Sequence, residues 1–114
     1  MEETALKDVY FDAGHTDIGR QGAVIMKVNA GWLTEHADMA VLIEGHTDWK
    51  GSHDANMAVG ERRAEAARDF LVKEGVNETR IQIVSYGSDR QVCTQKTDSC
   101  AARNRRVHFL VKSQ

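Results

Sequence analysis

Residues 44–64 read EGHTDWKGSHDANMAVGERRA and lead from the end of an apolar segment, through a glycine-containing turn, into a helix. Ser52 is expected to cap this helix, because its hydroxyl can accept a hydrogen bond from a backbone N–H of the first turn. Four apolar residues cluster on one face of the helix: Val59, Ala66, Ala67 and Phe70. Arg63 falls within that cluster, so an arginine is predicted to face the interior.

An inward-facing guanidinium keeps its charge and is costly to bury alone, so Arg63 needs an acceptor at the same depth. Asp48, in the turn before the helix, offers one. Two interpretations stay open: an internal Asp48–Arg63 ion pair, or two opposite charges that together hold a ligand carrying both signs. Asn56 lies on the same helical face, and Arg105 lies at the entrance to the last predicted strand. Because turns at strand ends commonly line ligand clefts, these residues favour a zwitterionic ligand.

The remaining chain alternates predicted strands and helices. Short apolar or alternating runs predict strands at 8–11, 39–45, 80–87 and 105–111. Helical spacing predicts one helix at 18–36 with Asp17 as its N-cap, a second from Ser52 to just before Gly75, and a single helical turn at 101–103. Helices between strands favour an α/β (α+β) two-layer sandwich, and the pattern leaves the strand order open.

Length and composition predict one domain. The chain has 114 residues, of which 41% are hydrophobic, and this is enough for one core, so residues 1–114 are expected to form a single unit with a flexible N-terminal segment at 1–7. Fifteen Lys and Arg against 17 Asp and Glu leave a net charge of -2, which argues against nucleic-acid binding. The start has no secretory signal. Since Met1 can replace a native targeting segment, this absence does not imply a cytosolic protein.

Cys93 and Cys100 bracket the polar segment CTQKTDSC. Their spacing does not match zinc or thioredoxin-type pairs, and no histidine is close by in sequence. A local disulfide is therefore favoured over two reduced thiols, and its loop closure would stabilise the fold by about 2.5 kcal/mol. Such a bond predicts an oxidising compartment such as the periplasm.

His46, Asp48, His53 and Asp54 lie in one turn and raise the alternative of a metal-dependent hydrolase. His46 directly follows a strand-ending glycine, however, where it can hold the turn by hydrogen bonding. Ser52, His53 and Asp54 are contiguous, so their side chains diverge at a helix start and do not form a catalytic set. We therefore expect a binding module with no catalytic residue, metal or cofactor.

Four segments, in this order and spacing, resemble the OmpA-like peptidoglycan-binding domain over nearly the whole chain: VYFD, residues 44–64, GVNETRIQIVSYG and NRRV. Within that family, NMAVGERRAEAA and IVSYG are most similar to the lipoprotein members of the Tol system. The resemblance implies a mixed four-stranded sheet with two main helices packed on it. It also implies a non-enzymatic domain.

The resemblance further implies noncovalent binding to meso-diaminopimelate in the peptide stem of the bacterial cell wall. The family's motif aspartate matches Asp48 and its helix arginine matches Arg63, which together would engage the charged groups of that residue. An aromatic-acid pair borders the family's pocket, and Gly14 stands where relatives often carry a larger side chain. The predicted ligand-binding set is Phe11, Asp12, Gly14, Thr47, Asp48, Asn56, Arg63 and Arg105.

The resemblance also implies a cellular location. A domain of this family is expected in the periplasm of a Gram-negative bacterium, associated with the outer membrane through a lipid anchor upstream, where it tethers that membrane to the wall. The β-propeller protein of the Tol system is an expected second partner. As the alternative, the same wall-binding domain belongs to an OmpA-type porin or a flagellar stator protein.

Overall fold

The computed structural model of the chain describes residues 5–114. Within these residues, strands and helices alternate in the order β1 (Val9–Tyr10), α1 (Arg20–Glu35), β2 (Met39–His46), α2 (His53–Lys73), β3 (Ile81–Gly87), α3 (Asp98–Asn104) and β4 (Arg106–Ser113). A short 3₁₀ turn, Glu78–Arg80, precedes β3. No helix in this part of the chain is both long and apolar enough to cross a membrane.

The sheet has the strand order β1-β4-β2-β3. Strand β4 is antiparallel to both β1 and β2, and β2 is parallel to β3. Three strands therefore run in one direction, and their carboxyl ends meet the start of β4 at one edge of the sheet. The predicted mixed four-stranded sheet with two main helices is confirmed, and α3 is longer than the single predicted turn.

The two main helices begin differently. Ser52 caps α2 as predicted, since its hydroxyl accepts a hydrogen bond from the Ala55 N–H at 3.1 Å. The predicted Asp17 cap of α1 is wrong: the helix begins after Gly19, which makes no side-chain cap bond. Asp17 lies too early to reach the first helical turn, and its carboxylate instead contacts His15 at 3.5 Å.

The core lies between α1, α2 and one face of the sheet. Its central strand residues are Val41, Ile43, Val107, Phe109 and Val111. The buried stripe of α2 is displaced from the predicted one, because Ala64 and Leu71 are fully buried whereas Phe70 is only partly buried. The displacement has a physical cause: α2 crosses β2 where Gly60 faces Gly45, and an added Cβ on Gly45 would lie 2.6 Å from the Gly60 carbonyl carbon. The absence of side chains allows this close approach.

Two residues of the N-terminal stretch 1–7, which was expected to be flexible, contact the rest of the domain. Leu6 is buried in the core. The backbone N–H of Lys7 donates to Asn29 Oδ1 at 3.1 Å, and Asn29 Nδ2 donates back to the Lys7 carbonyl at 3.0 Å. Apolar burial of Leu6 and the paired hydrogen bonds of Lys7 therefore attach these two residues to the domain. Residues 1–4 lie outside the described residues.

The predicted disulfide between Cys93 and Cys100 is present. It closes the loop that leads into α3. Asn104, at the end of α3, organises the same loop, because its Oδ1 accepts from the Val92 N–H and its Nδ2 donates to the Cys93 carbonyl, both at 2.8 Å. The residue after this asparagine is Arg105, so the loop and helix deliver that arginine to the edge of the sheet.

Candidate functional site

A cleft of about 190 Å³ opens at the edge where β1, β2 and β3 end and β4 begins. Six of the eight predicted site residues line it: Gly14, Thr47, Asp48, Asn56, Arg63 and Arg105. The topology explains why these residues lie together, since the loops after β1 and β2 and the residue before β4 all emerge at this edge. The structure thus brings together side chains that are far apart in sequence.

Arg63 is the largest fully buried side chain among the described residues. Its guanidinium donates to three backbone carbonyls: Nε to His15 at 2.9 Å, Nη1 to His46 at 2.9 Å and Nη2 to Asp12 at 3.3 Å. The aromatic ring of Phe11 lies beneath it, with 5.1 Å from Cζ to the ring centroid. Arg63 therefore ties the loop after β1 to the end of β2, and backbone carbonyls are the acceptors that its burial required.

Asp48 pairs with Arg105 and not with Arg63. Its Oδ2 lies 3.3 Å from Arg105 Nη1, and its Oδ1 accepts from the backbone N–H of Lys50 at 2.9 Å. Of the two interpretations left open by the sequence, the internal Asp48–Arg63 ion pair is wrong within the described chain. The three-carbonyl anchor of Arg63 and the partner supplied by Arg105 explain why the two charges stay apart.

The cleft is electrostatically asymmetric. Burial and the positive charge of Arg105 lower the pKa of Arg63 to about 10, while the negative charge of Asp48 opposes that shift. Arg63 therefore stays charged at neutral pH. Asp48 is 8% exposed, and its side chain and that of Arg105 are mostly buried. Two largely buried arginines and one carboxylate thus share one small cavity, in surroundings where water screens them poorly, and the exposed Lys50 also lines it.

Phe11 and Asp12 lie on the other side of the loop. Phe11 is 5% exposed and belongs to the core, where it supports Arg63. Asp12 contacts Arg63 through its backbone carbonyl, and both residues line a neighbouring groove of about 270 Å³ with His15 and Arg20. The structure therefore brings this pair to the border of the cleft and not into it.

Asn56, Thr47 and Gly14 shape the cleft wall. Asn56 Nδ2 donates to the Lys50 carbonyl at 3.0 Å and so holds the turn after β2 against α2. The N–H of Thr47 donates to the Gly87 carbonyl at 2.9 Å, which extends the pairing of β2 with β3 by one residue. Gly14 has φ +74°, a conformation that favours glycine, in the turn closed by the His15 N–H on the Asp12 carbonyl.

The side chains that suggested a metal site diverge. The ring of His46 faces Glu44 in the sheet, His53 lies near Asp89, and Asp48 is engaged by Arg105. No group of three or more His, Cys, Asp and Glu side chains in residues 5–114 is placed to hold a metal ion.

Three residues that line the cleft were not predicted: Ala13, Lys50 and Val59. Signals for two of them exist in the sequence. Val59 lies between Asn56 and Arg63 at helical spacing, and Lys50 follows Asp48 in the same turn. The carbonyls of His15 and His46 that hold Arg63 had no such signal, because backbone acceptors are present at every position of a chain.

The OmpA family matches residues 10–105 of the chain. The peptidoglycan-associated lipoprotein of Mesorhizobium japonicum is 39% identical over 99 residues, which cover 87% of this chain and 59% of that protein. The crystal structure of the peptidoglycan-associated lipoprotein from Burkholderia pseudomallei matches with a TM-score of 0.91 at 31% identity, covering 95% of this chain and 92% of that chain. The C-terminal domain of Helicobacter pylori MotB matches with a TM-score of 0.88 at 18% identity, over 96% of this chain and 87% of that one.

The predicted resemblance, including its similarity to lipoprotein members, is confirmed. The likeness to MotB shows the fold alone. The chain spans 59% of the length of the Mesorhizobium japonicum relative. These relatives are named for association with peptidoglycan and not for a catalysed reaction, in agreement with the prediction of a non-enzymatic domain.

Proposed function

Since the chain belongs to the OmpA family, we propose that it binds peptidoglycan noncovalently and that its cleft holds the zwitterionic end of meso-diaminopimelate in the stem peptide. One observation carries this proposal: Arg63, Arg105 and Asp48 face a single cavity of about 190 Å³. An amino-acid end group presents a carboxylate and an ammonium side by side. The two arginines match the carboxylate, and Asp48 matches the ammonium.

The arginines and the aspartate keep free hydrogen-bonding capacity. A guanidinium has five N–H groups. Arg63 uses three of them on backbone carbonyls, which leaves two. Arg105 uses one on the Phe11 carbonyl and one on Asp48, which leaves three. The carboxylate of Asp48 accepts one bond on each oxygen, so each oxygen can accept another.

The rest of the cleft suits the remainder of this ligand. Val59 offers an apolar wall to the methylene chain that joins the two ends of diaminopimelate. Lysine-type stems end in an ammonium alone. With such a stem the spare N–H groups of Arg63 and Arg105 would find no carboxylate, and leaving such donors unpaired is costly.

Calorimetry with two matched muropeptides tests the proposal. The meso-diaminopimelate stem is expected to bind at least about tenfold more tightly than the lysine stem, the effect of one charge-assisted hydrogen bond. Chromatography of the muropeptides afterwards should find them unchanged, as expected for a binding module. Equal affinities would contradict the assignment of the ligand, and failure to sediment with purified sacculi would contradict wall binding itself.

Replacing Asp48 by asparagine is expected to weaken wall binding by about 10- to 100-fold, because the ammonium loses its charged acceptor. The change keeps the side-chain shape and an oxygen for the Lys50 N–H, so the variant should remain folded. Sedimentation with sacculi and calorimetry measure the effect.

Asp54→Asn is the matched control for this change, because Asp54 is fully exposed at the start of α2 and contacts His53 alone in the described chain. It should bind as the parent does. Parent-like binding by Asp48→Asn would contradict a role for that carboxylate.

We also propose that the domain acts in the periplasm, and that a lipid anchor upstream of it links the outer membrane to the wall. The relatives named as lipoproteins and the Cys93–Cys100 disulfide, which suits an oxidising compartment, support this. The β-propeller protein of the Tol system is the proposed second partner. Cell fractionation with metabolic lipid labelling tests the anchor, since a porin or stator anchor would leave the protein unlabelled. Co-purification tests the partner.

A further inference from the structure

His46, at the end of β2, is buried behind the cleft and takes no part in the proposed ligand contacts. It is 2% exposed. Gly45 faces α2, so the alternation of a strand directs His46 to the opposite face of the sheet. There its Nε2 lies 3.0 Å from Oε1 of Glu44. Because a carboxylate accepts, Nε2 carries the proton, and Nδ1 of the neutral ring is unprotonated.

The backbone of His46 adjoins the cleft. Its carbonyl accepts from Arg63 Nη1 at 2.9 Å, and the next two residues, Thr47 and Asp48, line the cavity. The register of β2 against β3 shifts between Gly45 and His46, and pairing resumes where the Thr47 N–H donates to the Gly87 carbonyl. Such an irregularity interrupts the hydrogen-bond ladder and re-aims side chains. The contact of the His46 side chain with Glu44 is therefore one of the contacts, with the hydrogen bonds of Arg63 and Thr47, that hold the start of the binding turn.

The charges around the His46 ring are balanced when the ring is neutral. Asp8 contacts Arg106 Nη1 at 2.8 Å and His108 Nδ1 at 2.7 Å. Together, Asp8 and Glu44 balance Arg106 and a protonated His108. Within the described residues, Nδ1 of His46 is buried and has no hydrogen-bond partner. A proton on Nδ1 would therefore add a cation beside the buried Arg106 and the partly buried His108, with no acceptor for the new N–H.

We propose, on the basis of the proposed wall binding, that His46 is a positioning residue for the cleft. Its neutral ring, held by Glu44, keeps the His46 carbonyl on Arg63. Protonation of the ring displaces the turn that carries Thr47 and Asp48, so that acid releases the wall.

The direction of the pKa shifts agrees with this geometry. Burial lowers the pKa of His46; the hydrogen bond that His46 donates to Glu44 opposes the shift, and the charges of Arg106 and His108 reinforce it. From β3, the ring of Tyr86 lies 5.6 Å from the His46 ring, between centroids. The contribution of neutral His46 to the free energy of unfolding is therefore complete above about pH 6.5 and is lost as the pH falls toward the folded-state pKa.

The contribution of His108 to stability depends on pH in the opposite direction to that of His46. Its hydrogen bond to Asp8 raises its pKa despite partial burial. Its contribution to stability is complete below about pH 6.5 and is lost as the pH rises through the folded-state pKa. Because the two histidines oppose each other, melting temperature against pH does not isolate His46. Measurements of wall binding and residue-specific NMR signals do isolate the effect of His46.

Wall binding is expected to weaken by about tenfold per pH unit below the folded-state pKa of His46, if only the neutral form binds. The ligand keeps its ammonium and carboxylate charges between about pH 5 and 7.5. His46→Gln provides an amide nitrogen at the position of Nε2, so it can donate to Glu44 but does not titrate. It should bind within about twofold of the parent at neutral pH and show a flat profile down to about pH 5.

His46→Asn is the matched control, because its amide occupies the position of Nδ1 and cannot reach Glu44. It should bind about tenfold more weakly than His46→Gln at every pH, the effect of one lost charge-assisted hydrogen bond. A profile of His46→Gln that falls as the parent's does, or equal binding by the two variants, would overturn the proposal.

A ligand-free measurement separates this proposal from wall binding. In NMR titrations of the parent, the amide signals of Thr47 and Asp48 and the Nε–H signal of Arg63 should shift with the pKa read from the His46 ring. The same signals should not shift over that range in His46→Gln. If they do not follow His46 in the parent, the positioning role is refuted, whether or not the domain binds the wall.

Discussion

Replacing Gly45 by alanine is expected to destabilise the domain by about 3 kcal/mol or more, at the upper end of what overpacking costs. The added Cβ would overlap the carbonyl group of Gly60. That group is backbone inside α2, so it cannot rotate away as a side chain can, and the whole helix must move off the sheet. Because α2 carries Arg63 and β2 leads to Asp48, the cleft would open as well.

Chemical denaturation measures this effect, and Gly31→Ala is the matched control. Gly31 lies in α1 with open space where a Cβ would be. Alanine there should stabilise the helix by about 0.5–1 kcal/mol. A Gly45→Ala protein with the denaturation midpoint of the parent would mean that α2 does not press on β2 as described.

Replacing Arg63 by alanine is expected to weaken wall binding by more than about 100-fold and to lower the free energy of unfolding by about 3–5 kcal/mol. The binding loss follows from the two spare N–H groups proposed for the carboxylate. The stability loss follows from the void left by a fully buried side chain and from the carbonyls of Asp12, His15 and His46, which lose their donor; of these, the His46 carbonyl loses it in a buried position. The observed anchor therefore predicts that this variant loses both binding and stability.

Two further variants separate these effects. Arg63→Met keeps most of the volume but no donor, so it should lose binding as fully as alanine while creating a smaller void. Arg62→Ala removes an exposed arginine from the same GERRA segment and should change stability by less than about 0.5 kcal/mol. For both variants, calorimetry with the diaminopimelate muropeptide measures binding and denaturation curves measure stability. Parent-like binding by Arg63→Met would show that the guanidinium does not contact the ligand.

Elements with strong local signals were predicted well from the sequence. The Ser52 cap, the glycine exit at Gly75 and the inward position of Arg63 all depend on residues a few positions apart. Boundaries that depend on competition between neighbouring residues were predicted less well. Asp17 is a good capping residue by type, but α1 begins after Gly19, and Gly22 in its first turn lies close to the side chains of Val9 in β1 and of Ile18.

The partner of Asp48 could not be read from the order of residues. Asp48 and Arg63 are near in sequence and opposite in charge, so they form the obvious pair. The observed partner, Arg105, comes from 57 residues away. It reaches Asp48 because β4 is inserted between β1 and β2, which brings the residue before β4 to the edge where those strands end.

By itself, the sequence determined which elements form and which helical face carries the buried arginine, because hydrophobic period and capping act over a few residues. It also determined the family, through motifs that follow the family's order and spacing along this chain. Only the tertiary structure decided which groups satisfy Arg63, which cation meets Asp48, and that His46 stands behind the cleft. These contacts depend on strand order and on backbone carbonyls. Neither can be inferred from the order of side chains along the chain.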